Sequence, residues 1–161
     1  MNRKRIACFV MVSTIMVSGC ASSVDENSSS PGWNAYNAFQ RELNQKPENP
    51  DYKQHLSSGW VGMLDATTDN AELTQLRDYA TYPQWLIKTL AHHEKASGEG
   101  RCLSVNGVAL DQSPGTLSVR YVEENDRLKA SAIHYQYWET KDEFPSEARC
   151  PEEFQLAFPV S

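Results

Sequence analysis

The chain has 161 residues, which is enough to bury the core of one domain. Its formal net charge of −6 makes it a poor candidate for binding nucleic acid, and it would not be drawn to anionic lipid by charge. Any attachment to a membrane therefore needs another source.

The first 19 residues have the pattern of a secretory signal. Residues 3–5 are Arg, Lys and Arg, and an apolar run follows over residues 6–17. A helix that spans a bilayer needs about 20 apolar residues, so this run is too short. We expect a signal peptide over residues 1–19 and not a permanent transmembrane segment.

Residues 17–20 are Val, Ser, Gly and Cys, and in this position they resemble the lipobox of bacterial lipoproteins. The resemblance implies cleavage before Cys20 and attachment of diacylglycerol to its thiol. Several acyl chains anchor a protein firmly, since each buried methylene contributes about 0.8 kcal/mol. The residue after Cys20 is Ala21 and not an aspartate. In this respect the chain resembles Gram-negative lipoproteins, which are exported to the outer membrane by default. The expected location is the bacterial outer membrane, facing the periplasm, with the inner membrane and the cell surface as alternatives.

An ordinary secretory signal with an incidental cysteine, or an uncleaved apolar N-terminus, is the alternative to lipidation. Cleavage would remove three basic residues and no acid, so the net charge would change from −6 to −9. Residues 20–31 have little to bury and predict an acylated cysteine on a flexible tether. One globular domain is expected over residues 32–161.

Two cysteines remain for the domain. Cys8 lies in the predicted signal peptide and Cys20 is the lipidation residue, which leaves Cys102 and Cys150. An even pair in an oxidising compartment predicts a disulfide. The alternative is two metal-binding or redox thiols, but neither cysteine lies in a CxxC motif.

Apolar residues at three- and four-residue steps predict helices over residues 32–97. The first stripe consists of Trp33, Tyr36, Phe39 and Leu43. Core packing is the favoured fate of this stripe, with contact to the membrane interface as the alternative. Further helices are expected over residues 51–56, after a break at 57–59, from residue 69 or 70 onward, and after Pro83.

Residues 101–160 are expected to be mainly β. A polar turn at residues 124–126 predicts an antiparallel hairpin over residues 116–138. Asn106-Gly107 predicts another tight hairpin turn, and Phe154, Leu156 and Phe158 predict a last strand. The expected fold class is α+β, with N-terminal helices packed on a small antiparallel β-sheet and one disulfide.

The histidines do not form a ligand pattern. His92 and His93 are neighbours on a predicted helix end and would point about 100° apart, so no metal or cofactor is expected. His134 lacks a nucleophile, because no GxSxG motif is present and both domain cysteines are assigned to the disulfide. No catalytic residue is assigned and no enzymatic activity is expected. A hydrolase that uses His134 or His93 with a carboxylate is an alternative.

Tyr135, Tyr137 and Trp138 are the candidate partner-binding surface. Along a strand, Tyr135 and Tyr137 point to one side of the sheet and Trp138 points to the other. Exposed aromatic residues are typical of protein hot spots and glycan platforms, and packing is the alternative. We expect a non-enzymatic lipoprotein that binds or positions an envelope protein. An immunity or inhibitor lipoprotein against a toxin or hydrolase that acts in the periplasm is the alternative.

Overall fold

A computed structural model describes residues 30–47, 50–98 and 100–155. In these ranges the helices are α1 (Pro31–Gln45), α2 (Ser58–Ala66), α3 (Asn70–Ala80) and α4 (Pro151–Gln155). The strands are β1 (Leu86–Ser97), β2 (Gly100–Ala109), β3 (Pro114–Glu124) and β4 (Arg127–Tyr137). Short 3₁₀ turns occupy Tyr52–His55, Tyr82–Trp85 and Lys141–Glu143.

The strands form one antiparallel sheet in the order β1-β2-β3-β4, so each strand pairs with its neighbour in sequence. Asn125 and Asp126 turn the chain between β3 and β4 with φ values of 54° and 58°. Asn and Asp tolerate this left-handed backbone better than most residues. The predicted hairpin over residues 116–138 is confirmed, and so is the α+β class.

One face of the sheet is covered by helices and carries the apolar core. Tyr36, Phe39 and Leu43 of α1 are fully buried along one side of the helix. The sheet contributes Leu103, Val105, Leu117, Val119 and Tyr121 to the same cluster. Burial of each large apolar side chain contributes about 1.5–3 kcal/mol. The predicted stripe is therefore packed in the core.

Side-chain caps begin α2 and α3. The carboxylate of Asp69 accepts a hydrogen bond from the first turn of α3, as its position predicts. The predicted segment at residues 51–56 is a 3₁₀ turn, and the predicted break after it is present at Ser57, which is extended and caps α2. The break does not include residues 58 and 59, which are the first residues of α2. The indole N–H of Trp60 donates to the carbonyl of Ser131 at 3.1 Å, which fastens α2 to β4.

The predicted helix after Pro83 is wrong, because residues 86–97 form strand β1. Pro83 lies in a 3₁₀ turn, and the chain enters the sheet directly after it. The pairing of β1 with β2 shifts register at residues 86–88 and at residues 89–91. Each bulge adds a residue to the strand. The apolar residues of β1 therefore lose the alternation of a regular strand, and their spacing resembles that of a helix. The helices before the sheet therefore end at residue 80, not at residue 97.

The predicted turn at Asn106-Gly107 is also wrong, since both residues lie inside β2. A Cβ atom at Gly107 would clash with the carbonyl oxygen of Lys88 on β1. The glycine therefore permits a close approach of two strands, and it does not form a turn. The β2–β3 turn follows β2 instead, where the N–H of Ala109 donates to the carbonyl of Ser113 at 2.9 Å.

The predicted disulfide is confirmed. Cys102 on β2 is bonded to Cys150, with the two Cα atoms 5.0 Å apart. Cys150 precedes a helix and not a strand, so the predicted last strand is wrong at Phe154, which lies in α4. Pro151 at the start and two glutamates in the first turn favour this helix. Leu156 and Phe158 lie outside the described residues.

The second face of the sheet is covered by the segment after β4. The sheet residues beneath it are small and polar, and all are buried: Ser104, Asn106, Thr116 and Ser118. Ser104 accepts a hydrogen bond from the N–H of Arg149 at 2.8 Å, and the amide of Asn106 donates to the carbonyl of Pro145 at 3.0 Å. Such partners allow polar groups to be buried.

Residues 1–29 lie outside the described ranges, and with them the predicted signal peptide, Cys20 and most of the predicted tether. In the part of the chain that the structure describes, no helix is long and apolar enough to cross a membrane. Lipidation at Cys20 stays a prediction.

Candidate functional site

Four aromatic rings meet at one end of the sheet, on its helix-covered face. This aromatic cluster consists of Tyr79 of α3, Trp85 of a 3₁₀ turn, and Tyr135 and Tyr137 of β4. Ring centroids are 5.2 Å apart for Tyr79 and Tyr135, and 4.8 Å apart for Trp85 and Tyr135. Trp85 and Tyr137 are 5.2 Å apart, edge to face. These are contact distances for aromatic pairs.

Polar contacts and a glycine hold the rings in place. The indole N–H of Trp85 donates to the hydroxyl of Tyr137 at 3.2 Å, and the hydroxyl of Tyr135 donates to the carbonyl of Tyr79 at 3.4 Å. Burial, together with the neighbouring Tyr79, raises the pKa of Tyr135 well above its ordinary value, so its hydroxyl stays a donor. A Cβ atom at Gly115 would lie 2.5 Å from the indole of Trp85. The missing side chain at Gly115 therefore lets the indole lie against β3.

Part of the aromatic cluster is open to solvent. Tyr79 is 38% exposed and Tyr137 is 49% exposed, while Leu110 in the adjoining β2–β3 turn is 68% exposed. A groove of about 420 Å³ lies beside them, and its wall includes Tyr79, Trp85, Tyr135, Leu110, Asp78 and Gln84. A mostly apolar wall with a few polar groups is typical of a binding site.

The predicted partner-binding surface is divided by the structure. Tyr135 and Tyr137 point to one side of the sheet and Trp138 to the other, as the alternation predicts. The indole N–H of Trp138 donates to the hydroxyl of Thr116 at 2.8 Å, and its backbone N–H donates to the carbonyl of Pro114 at 3.0 Å. Tyr135 and Tyr137 thus belong to the aromatic cluster, whereas Trp138 packs on the second face.

Tyr79, Trp85 and Leu110 were missing from the predicted surface. The spacing of Tyr79 and Trp85 places both on helix stripes, and the helix expected after Pro83 would have carried Trp85 elsewhere. Only the entry of the chain into β1 brings them to β4. A signal was present for Leu110, because a large apolar residue directly before the turn sequence Asp-Gln-Ser-Pro is unlike an ordinary solvated turn.

Glu94 on β1 is the centre of a polar site at the start of α1, separate from the aromatic cluster. Its side chain is 7% exposed and lies 2.8 Å from the guanidinium of Arg101. It accepts hydrogen bonds from the N–H groups of Gly32 and Trp33 at 3.2 and 3.1 Å, and from the hydroxyl of Ser30. Burial alone would raise the pKa of Glu94, but these donors outweigh burial and hold its pKa below the ordinary value. The site anchors α1.

Three of the histidines stack on aromatic rings: His55 on Phe39, His92 on Trp33 and His134 on Phe154. His92 lies 4.0 Å from Trp33 between ring centroids, on β1 and not on a helix end, so the predicted position of His92 and His93 is wrong. His134 stacks on Phe154 at 4.8 Å, and burial lowers its pKa while a hydrogen bond with Gln136 opposes the shift. Within the described ranges, no three His, Cys, Asp or Glu side chains are grouped so that they could hold a metal.

The residues that line the groove beside the aromatic cluster include three aromatic residues, Asp78 and Gln84. Side chains of these types are common in ligand sites, where they provide apolar contact, charge and hydrogen bonds. Comparison of the chain with protein-family models, with curated proteins and with solved structures found no match.

Proposed function

We propose that this protein is a lipid-anchored lipoprotein of the bacterial outer membrane that binds an envelope protein through the aromatic cluster, with no catalytic role. The observation that carries the proposal is the exposure of Tyr79 and Leu110 in the wall of one groove, with Tyr137 exposed in the adjoining aromatic cluster. Trp and Tyr dominate the binding energy of many interfaces, because their large surfaces lose water on contact. An apolar patch on a domain with its own buried core is typical of a contact surface.

A lipid anchor at Cys20 is the second part of the proposal, and it rests on the lipobox-like residues 17–20. A lipid at residue 20 would hold the domain beside its partner at the membrane, in an accessory or assembly role. A Cys20→Ser variant should no longer incorporate labelled palmitate or fractionate with membranes. Unchanged labelling and fractionation would contradict the anchor and leave the binding surface as a separate question.

A photoreactive amino acid at position 137 or position 110 tests the surface in intact cells. Both positions should give the same cross-linked partner. A matched probe at the exposed Glu123, at the far end of β3 from Gly115, should not give it. With the probe at position 110, Tyr137→Ala should lower the yield about tenfold, since truncation of a hot-spot ring removes most of its contact. Tyr137→Phe keeps the ring and should leave the yield unchanged.

Equal cross-linking from positions 123 and 137 would show that proximity alone produces the product. A yield that Tyr137→Ala does not change would also overturn the surface. Both yields are read from one gel, on which the cross-linked product is recognised by its mass.

Asp78 favours a second candidate, an immunity or inhibitor lipoprotein that neutralises a toxin or hydrolase acting in the periplasm. A carboxylate in the groove wall of an acidic chain complements a basic surface on such a target. The identity of the cross-linked partner separates the two candidates. A resident envelope component supports the first, whereas a toxin or hydrolase, together with loss of protection on gene deletion, supports the second.

A further inference from the structure

We propose that the groove beside the aromatic cluster receives an arginine or lysine side chain from the partner protein. The inference rests on the proposed function, because it names the chemistry that the partner presents to the same surface. It follows from the arrangement of the rings and from the charge of the groove wall.

Three of the rings line the groove: Tyr79, Trp85 and Tyr135. Tyr79 and Trp85 are tilted by 38° and 49° against Tyr135, so the three rings do not lie in one plane. The indole N–H of Trp85 already donates to Tyr137, so a ligand would contact Trp85 through its ring and not through its N–H. A cation within about 6 Å of the face of such a ring is attracted by the negative charge of the π-system, most strongly for Trp.

The groove wall carries negative charge. Asp78 is the charged residue among the described residues that line it. None of the ion pairs between described side chains involves Asp78. Arg77 precedes it on α3, where consecutive side chains point about 100° apart. An incoming cation would therefore meet a carboxylate in addition to the rings.

The shape of the groove also suits a long charged side chain. Its volume of about 420 Å³ exceeds the smallest ligand sites, which are about 300 Å³. The exposed Leu110 and the rings provide an apolar wall along which the methylene stem of arginine or lysine can pack while its charged head reaches Asp78.

A glycan is the other class of ligand that aromatic residues bind. A sugar stacks best on an open, flat ring, whereas these rings are tilted against each other by 38° to 77°. The negative charge of Asp78 in the groove wall attracts a cation more strongly than a neutral sugar. These features favour a cationic side chain.

Binding of model peptides to the full chain in detergent micelles tests the inference. The indole N–H signal of Trp85 in a proton-nitrogen NMR spectrum is assigned by its loss in Trp85→Phe. The probe is the blocked tripeptide Gly-Arg-Gly, its control is the same peptide with citrulline, which keeps the shape of arginine without the charge, and chitobiose represents a glycan.

We expect a saturable shift of the Trp85 signal with the arginine peptide and binding about tenfold weaker with the citrulline peptide. Asp78→Asn should weaken arginine binding about threefold to tenfold, whereas the matched Glu123→Gln should not change it. Equal binding of both peptides, tighter binding of chitobiose, or no saturable shift with any probe would overturn the inference.

The peptide and cross-linking experiments distinguish failure of the cationic anchor from failure of the proposed function. A partner that cross-links at positions 110 and 137 while the arginine peptide does not bind would leave the proposed function standing and remove the cationic anchor. Charge-dependent peptide binding without any cross-linked partner in cells would show a cation site and contradict the proposed function.

Discussion

The backbone N–H of Trp33 donates to the carboxylate of Glu94 at 3.1 Å, and this bond joins the first turn of α1 to β1 across 61 positions of the chain. Ser30, which precedes the helix, makes no side-chain cap. The N–H groups at a helix start need acceptors, and a negative charge there also complements the helix dipole. A carboxylate from a distant strand therefore replaces the local cap and ties the helical layer to the sheet.

Glu94→Gln should lower the free energy of unfolding by about 2 kcal/mol, because the amide is a weaker acceptor and leaves the guanidinium of Arg101 unpaired. Urea denaturation followed by circular dichroism measures this loss. Glu123→Gln, on an exposed residue of β3, should change stability by less than about 0.5 kcal/mol. Equal losses in the two variants would show that the contacts of Glu94 contribute no more to stability than those of an exposed glutamate.

Glu94 should also contribute to the pH dependence of stability. Its native pKa lies below the ordinary value of 4.5, so between the two values the unfolded chain binds the proton more readily. The contribution is fully present above the ordinary pKa and is lost as the pH falls through the native pKa. As the pH falls below about 5, stability should fall less steeply in Glu94→Gln than in the wild type. Parallel slopes would contradict this.

Loss of the Cys102–Cys150 disulfide should lower the free energy of unfolding by about 4 kcal/mol, an upper figure from the entropy of a loop of this length. The bond closes a sequence separation of 48 residues. A double Cys102→Ala, Cys150→Ala variant should show the loss in urea denaturation. Reductant should destabilise the wild type and have no effect on the variant, and a wild type indifferent to reductant would refute the prediction.

Gly115→Ala should displace the indole of Trp85, since the added Cβ would lie 2.5 Å from it. We expect a loss of about 1–3 kcal/mol in stability and a lower cross-linking yield from position 137. Gly62→Ala is the matched control, because nothing lies within 4 Å of a Cβ there and the residue is in α2, where alanine favours helix. The control should be neutral or stabilising with an unchanged yield.

His134 should make the native state sensitive to mild acid. Burial lowers its pKa below the ordinary value of 6.5, so the native state keeps the ring neutral where the unfolded chain is protonated. Stability should be highest above pH 6.5 and decline as the pH falls from 6.5 to the native pKa. An NMR titration of the ring proton should give a midpoint below 6.5, and a midpoint at or above it would disprove the assignment.

Helix α1, the cap of α3 and the β3–β4 hairpin could be predicted because each depends on residues close in sequence. The buried side of α1 follows from the spacing of Tyr36, Phe39 and Leu43. The hairpin follows from two alternating runs around Asn125 and Asp126. Spacing and turn residues act locally, so they are visible without a partner.

Strand β1 could not be predicted in the same way. Its bulges break the alternation, and its extended form depends on hydrogen bonds to β2. Gly107 shows the same limit, since its role is set by the approach of Lys88 from β1. Pairing between distant segments overrides local preference at both places.

The sequence by itself determined which residues can be lipidated, form a disulfide or offer an aromatic surface. It carries the lipidation motif at Cys20 as a prediction, it identified the pair Cys102 and Cys150, and it placed Tyr135 and Tyr137 on one side of a strand. Only the tertiary structure decided that these tyrosines meet Tyr79 and Trp85 in one cluster, and that Glu94 anchors α1. Periodicity reports the two sides of one element, whereas a site built from α3, a 3₁₀ turn and β4 exists only after the elements pack.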